Sequence, residues 1–391
     1  MNTAKEQRTT SLVQNYLETG DIDTQIIEEN PAGSTDPEVT REQNIQENLS
    51  LAKRYNLFPI RDQEAYEDYV QLEATFWTAF ELRYADDKKD YNKLREFDAT
   101  GFNAKAKRLI DCSMMFLLPG DGLVTDNLID YFMKHAKNFE ERIFFAAQIH
   151  NEIVHAITYA LMGYTMYTEE ELKEMLEAVD NIPCIKAQVE LMEKYLKGGM
   201  DGTYTLAEMY VAFAAAEGIL FMIIFIVIFW FKSVNLFKNF IAINRMVNRD
   251  EGKHRDFGCK RYKKIPASEK SPTRSLEIIQ EFVAVQRMFI EYMVPEPVLD
   301  LDAVSLNTCL EAISDNLLVK LGLQKHYFPE KFPKLPTWFD ISLLNKENFF
   351  ELITVGYKRF DEEKAMHPES YAVNDDEEDV NFLQNTEDAD F

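Results

Sequence analysis

The hexapeptide Arg249-Asp250-Glu251-Gly252-Lys253-His254 sets a glutamate and a histidine three residues apart. On a helix that spacing puts both side chains on one face. A carboxylate oxygen beside an imidazole nitrogen suits iron or manganese. A second segment, Ala147-Gln148-Ile149-His150, repeats the spacing with alanine in place of the carboxylate. Glu217 stands as the single charge between Val211 and Phe231. A glutamate buried there needs a cation beside it, metal or arginine, or it stays neutral.

Such residues do chemistry only if long helices bring them together. Apolar residues recur at helical spacing through Tyr69–Phe80, Ala104–Leu118, Leu128–Met133, Ile143–Met162 and Ala207–Phe231. The same period continues through Ile241–Cys259, Leu276–Met293 and Leu306–Leu323. No run alternates long enough to predict a strand. Pro119-Gly120-Asp121-Gly122 and Asn181-Ile182-Pro183 read as turns between helices. The fold class is therefore all-α: long helices around one core, with disordered arms at both ends.

Composition narrows the function. The chain has 391 residues, 46% of them hydrophobic, enough for a large core. A net charge of -25 argues against nucleic-acid binding. Cys112, Cys184, Cys259 and Cys309 are scattered and read as reduced thiols of a cytoplasmic protein. The run Val211–Phe231 is long enough to cross a bilayer. A helix apolar all round is also the central helix of a soluble bundle, and Glu217 favours that reading; no membrane is expected.

Ferritin-like di-iron carboxylate proteins take one carboxylate from each of two helices and Glu-x-x-His from each of two others. Within that class the chain resembles the small, radical-generating subunit of class I ribonucleotide reductase. The resemblance rests on Glu73-Ala74-Thr75-Phe76-Trp77-Thr78-Ala79, Glu217-Gly218-Ile219, Ile228-Phe229-Trp230 and Arg249-Asp250-Glu251-Gly252-x-His254. The ending Asp388-Ala389-Asp390-Phe391 looks like the tail of the eukaryotic-type members. The resemblance implies a ferritin-like bundle over 49–328, preceded by a disordered arm over 1–48. It also implies an extension over 329–373 and an acidic tail over 374–391 that docks on the large subunit.

Carried over residue by residue, the resemblance gives His150, Glu217, Glu251 and His254 as surviving metal positions. Asp250 and Tyr357 match radical-path positions. Arg83 and Ala147 stand where carboxylates belong, Val154 where the radical tyrosine belongs, and Tyr66 where a relay tryptophan belongs. Glu140 is too far along its helix to substitute, and Asp86 or Asp87 would need a local shift. Tyr159, Tyr164 and Tyr167 fall off the required position, and His155 packs or caps. His135, His326 and His367 take surface or core roles.

On that reading the local charge falls from about -4 to about -1, and Arg83 pairs with Glu217 or Glu251 in place of metal. The expected cofactor is none, or a partial complement of iron or manganese. The implied function is a component of ribonucleoside-diphosphate reductase that forms no radical and supports assembly. Its partners would be the large subunit, through Asp388–Phe391, and a competent paralogue in a heterodimer. The alternatives are a catalytic subunit with an atypical or mononuclear site and a ferritin-like metal protein outside nucleotide reduction.

Overall fold

The computed structural model describes Leu57 and residues 60–327. The expected arm 1–48, the segments 329–373 and 374–391, Tyr357 and Asp388–Phe391 lie outside the described residues. Among the described residues the structure is helical, with an isolated bridge between Val298 and Leu301 as its one piece of extended pairing. The longer helices are α1 (Gln63–Glu73), α2 (Ala85–Leu94), α3 (Phe102–Asn127), α4 (Phe139–Met166), α5 (Glu169–Leu176) and α6 (Pro183–Met200). They continue with α7 (Leu206–Ala215), α8 (Phe221–Trp230), α9 (Lys238–Lys264), α10 (Pro272–Met293) and α11 (Ala303–Lys320).

Local chemistry starts these helices. Asn138 caps α4 by accepting from Glu141 N, and Glu140 and Glu141 complement the positive end of its dipole. Thr205 and Glu208 form a reciprocal capping box on α7. The first residues of α9 have no cap of their own, and Phe237 before it is left-handed. Two acids of α2 serve instead: Asp90 accepts from Phe237 N, and buried Asp87 is held by the N–H groups of Asn239 and Phe240.

α7 and α8 are joined by the π-helical turn Ala216–Leu220, and the whole run Leu206–Val234 forms the apolar centre. Its most apolar 18-residue stretch is wholly buried, while Lys232 and Ser233 near its end are exposed. Each Ile or Phe enclosed there contributes ~1.5–3 kcal/mol relative to exposure. Around it pack α3, α9, α10 and α11, while α4 lies against α1, α3 and α9.

Two elements differ from expectation. The Tyr69–Phe80 periodicity ends as helix at Glu73; Phe76 is partly exposed and Trp77 turns inward. Pro119-Gly120 does not break the chain, and α3 runs through it to Asn127. Gly120 has a packing reason there. A Cβ on it would lie 3.2 Å from the Phe221 ring, so glycine lets α3 approach α8 closely. Asp121, read as a turn residue, is thereby carried on a helix into the interior.

Candidate metal centre

Four helical segments converge on one buried polar cluster. α3 supplies Asp121, α4 supplies Glu152 and His155, the π-helical turn supplies Glu217, and α9 supplies Glu251 and His254. None of the six exceeds 1% exposure. Asp121, Glu152, His155 and Glu251 bring ligand atoms within 4.8 Å of one another, and so do Glu152, Glu217, Glu251 and His254. The two sets share Glu152 and Glu251. Two adjoining four-ligand sets with two common carboxylates could hold a pair of cations.

The distances describe a cluster drawn in on itself. His155 Nδ1 lies 3.0 Å from Glu251 Oε1. His254 Nδ1 lies 3.0 Å from Glu152 Oε1 and 3.1 Å from Glu251 Oε2. Gln148 Nε2 donates to Glu152 Oε1 and Glu217 Oε1, both at 3.1 Å. Both Asp121 oxygens, Glu152 Oε2 and His254 Nε2 are buried with no hydrogen-bond partner. Orphaned buried acceptors are costly, and a bound cation would satisfy them.

Electrostatics carry the same mark. Burial pushes Asp121 well above the carboxylate range, with His155 partly offsetting it and Glu152 and Glu251 adding to it. Burial, then Glu251 and Glu152, pushes Glu217 up as well. Burial also opposes charge on Glu251, yet its contacts with His155 and His254 hold it well below the usual value. Burial disfavours the imidazolium of His155, but Asp250, Glu152 and Glu251 outweigh it and raise the ring. The same balance, with Glu152 and Glu251, lifts His254 to about 9. Protons on Asp121, Glu217 and the two imidazoles thus offset charge within the cluster, a role that metal ions fill when bound. Oxygen and imidazole donors of this kind fit iron or manganese.

Beyond the ligands, Asp250 Oδ2 accepts from Trp77 Nε1 at 2.8 Å and lies 3.6 Å from His155 Nε2. Trp77 also stacks on His155, with ring centroids 5.7 Å apart. Arg249 Nε holds the other oxygen of Asp250 at 3.0 Å. Tyr159, one helical turn after His155, is fully buried.

The expected site is therefore half relocated. Glu217, Glu251 and His254 meet as expected, and Asp250 adjoins them. His150 is exposed and stacks on Phe76 at 4.6 Å, and Ala147 packs at the edge of the core. A shift of five residues turns a helical side chain by roughly 140°, which separates that pair from Glu152 and His155. Val154 faces the core and Tyr66 is half-buried near Tyr69, while Trp77 holds the place beside Asp250. Arg83 is half-buried just before α2. The groups acting most strongly on Glu217 are other carboxylates and on Glu251 the two imidazoles. Glu140 accepts from Arg61 N, and Asp87 holds the start of α9.

The residues missed were legible: Glu152-Ile153-Val154-His155 is itself an intact Glu-x-x-His. Asp121 was hidden by its Pro-Gly neighbours.

The family described as ribonucleotide reductase, small chain, matches residues 54–333. The ribonucleoside-diphosphate reductase small chain of Plasmodium falciparum is 33% identical over 309 residues, 78% of this chain and 84% of that protein. The human ribonucleoside-diphosphate reductase subunit M2 is 30% identical over 326 residues, 83% of this chain and 79% of that one. Among solved structures, the Rnr4 homodimer of Saccharomyces cerevisiae aligns with TM-score 0.62 and 25% identity, covering 74% of this chain and 92% of that one. The dimanganese(II)-NrdF of Streptococcus sanguinis aligns with TM-score 0.63 at 19% identity, covering 73% and 97%, and shares the fold.

Proposed function

The chain belongs to the ribonucleotide reductase small-chain family, and from that premise we propose that it is a metal-loading, radical-forming small subunit of ribonucleoside-diphosphate reductase. The observation that carries this reading is the pair of ligand sets sharing Glu152 and Glu251. Asp121, Glu152, His155 and Glu251 would hold one iron or manganese ion, and Glu152, Glu217, Glu251 and His254 the other. The bound metals supply one-electron oxidising power. Tyr159 is the oxidisable side chain beside them, and Asp250 joins His155 to Trp77 as a route outward.

The expectation of a subunit that forms no radical rested on Arg83, Ala147, Val154 and Tyr66; on the present reading Asp121, Glu152, His155, Tyr159 and Trp77 supply the groups those positions lack. A mononuclear site would leave one set of ligands without its cation. Loading the full chain with iron(II) and oxygen, or with manganese, tests the proposal. Two metals per chain and a tyrosyl electron paramagnetic resonance signal, lost in Tyr159→Phe, are expected. Metal content below one per chain would return the assembly-supporting reading.

Two partners follow. The ending Asp388–Phe391 is proposed to dock on the large subunit, and removing the last seven residues should abolish that binding. The outward face of α4, from Ile143 to Tyr164, carries no charge; Ile153 and Tyr164 are exposed on it. We propose that it packs against a second small subunit, as suits a chain similar to a solved homodimer. Light scattering should show Ile153→Glu as a monomer; a dimer formed only with a different small chain would make the assembly a heterodimer. All four cysteines are free and buried, which supports a reducing, cytoplasmic setting.

A further inference from the structure

Tyr159 is held by a partner whose orientation is fixed. Its phenol O–H donates to Asn244 Oδ1 at 2.9 Å. Asn244, on α9, is fully buried, and its Nδ2 donates to the carbonyl of Phe240 at 2.8 Å. A backbone carbonyl only accepts, so the amide nitrogen must face Phe240 and the amide oxygen must face Tyr159. An amide assignment is often ambiguous; here the carbonyl decides it.

That geometry suits one redox state of the tyrosine. Oxidation removes one electron and the phenolic proton and leaves a neutral phenoxyl. The electron would go to the metal pair that the cluster would hold, and the proton to the carboxylate set, in which Asp121 acts most strongly on Tyr159. The phenoxyl oxygen has no hydrogen left to donate. It would face Asn244 Oδ1, a second acceptor, at a separation set for a hydrogen bond. Turning the amide over would offer the phenoxyl an N–H but would press Oδ1 against the Phe240 carbonyl. Either state of the amide therefore leaves one acceptor facing another.

We propose that Asn244 is a positioning residue that discriminates between the redox states of Tyr159, holding the phenol and disfavouring the radical. It rests on the reading that the metal pair oxidises Tyr159. In this role Asn244 limits the lifetime of the radical and makes its oxygen move off the amide when it forms. The hydrogen bond acts on the reduced side of the couple only, so deleting the acceptor shifts the radical-to-phenol balance toward radical.

The test uses the full chain loaded with iron(II) and oxygen. In Asn244→Leu, near-isosteric and without an acceptor, the tyrosyl signal should persist about five- to tenfold longer, the size of one buried hydrogen bond lost. High-field spectra report whether the phenoxyl oxygen accepts a hydrogen bond, because the largest g value falls when it does. The wild-type radical should show none. A hydrogen-bonded wild-type radical, or equal lifetimes in wild type and Asn244→Leu, would overturn the proposal. If Asn244→Leu fails to fold, Asn244→Ala carries the same expectation. A metal-free double-mutant cycle of Tyr159→Phe with Asn244→Leu gives an independent measure. Coupling of the two unfolding midpoints supports the contact, and strict additivity refutes it. Absence of any tyrosyl signal in wild type with two metals bound would instead strike the proposed function, while the cycle would still report on the contact.

Discussion

Helices α4 and α9 each contribute to two buried ionic clusters, and the clusters are built on opposite principles. Glu141 and Glu152 are eleven residues apart on α4, about three turns and ~16 Å, so they share a face. At Glu141 the chain supplies its own cations. Arg261, only 2% exposed, meets Asp62 Oδ2 at 2.5 Å, Glu141 Oε1 at 3.2 Å and Glu64 Oε2 at 3.2 Å. Lys264 adds contacts to Asp62 and Glu64 at 2.7 and 3.0 Å. At Glu152 the chain brings four carboxylates and two imidazoles together, and among the described residues the groups acting most strongly on Asp121, Glu217 and Glu251 are Glu152, one another and the two imidazoles. The same pair of helices can build a closed salt-bridge network, and one cluster lacks it. At Glu152 charge is offset by protons on Asp121, Glu217 and the two imidazoles, so this cluster is the one that could take cations from outside.

The largest effect should come from the shared glutamates. Glu152→Ala or Glu251→Ala removes a ligand from both sets. Metal content after loading should fall from about two per chain to near zero, an affinity loss above ~100-fold. Retention of both metals in either variant would break the contrast, because the cluster would then not be the binding site.

Arg261→Ala should do the reverse. It leaves buried Glu141 without its cation, while Lys264 still meets Asp62 and Glu64, and should lower unfolding stability by about 3 kcal/mol in a chemical denaturation. Metals per folded chain should stay unchanged. A loss of metal there would mean that the clusters are coupled through α9 and are not separate devices.

The contrast between the clusters also marks how much the sequence disclosed. Helical periodicity and the buried run around Glu217 were legible, because burial of apolar faces dictates both. Glu251-x-x-His254 showed in its spacing, which carried weight only beside the other motifs of the family resemblance. On α4 two candidate pairs, Ala147/His150 and Glu152/His155, lie five residues apart, and the choice between them carries the neighbouring assignments with it: on the proposed reading Tyr159 takes the place expected of Val154. Asp121 was obscured for a different reason. Pro119 and Gly120 favour turns locally, yet α3 runs through them, with Gly120 packed closely against Phe221. Asp90 and Asp87, which hold the start of α9, act from far away in the chain, and no local pattern announces them.

Acidity separates the clusters next. In the metal-free protein Asp121 and Glu217 are raised, so their contribution is present at low pH and is lost as pH rises through their folded values. His254, raised to about 9, contributes fully below its unfolded value near ~6.5 and loses that contribution as pH rises through about 9. Asp62 is the opposite case. Burial opposes its charge, but Lys264 and Arg261 lower it to about 2, so its contribution is lost as pH falls toward 2. Thermal unfolding of metal-free protein should therefore weaken between pH 7 and ~9, and metal should flatten that decline. Loading at pH 7 in weak buffer should also release protons, read on a pH-stat. No release would mean that the cluster is already ionised and open.

The smallest effect should fall on Gln148, which touches the site without joining a ligand set. Its Nε2 donates to Glu152 and Glu217, the only neutral side-chain donor that bridges those two acids among the described residues. In a self-neutralising network like that of Arg261, removing a neutral donor would chiefly cost stability. In a metal site the same donor orients carboxylates whose charge is met by the metal. Gln148→Leu should therefore weaken metal binding by ~10-fold, read by competition with a chelator, while two metals still bind at saturation. The metal-free protein should change little, since Asp121 and Glu217 already hold protons that can take over as donors. If Gln148→Leu instead lowered metal-free stability as far as Arg261→Ala, the cluster would be a structural network after all.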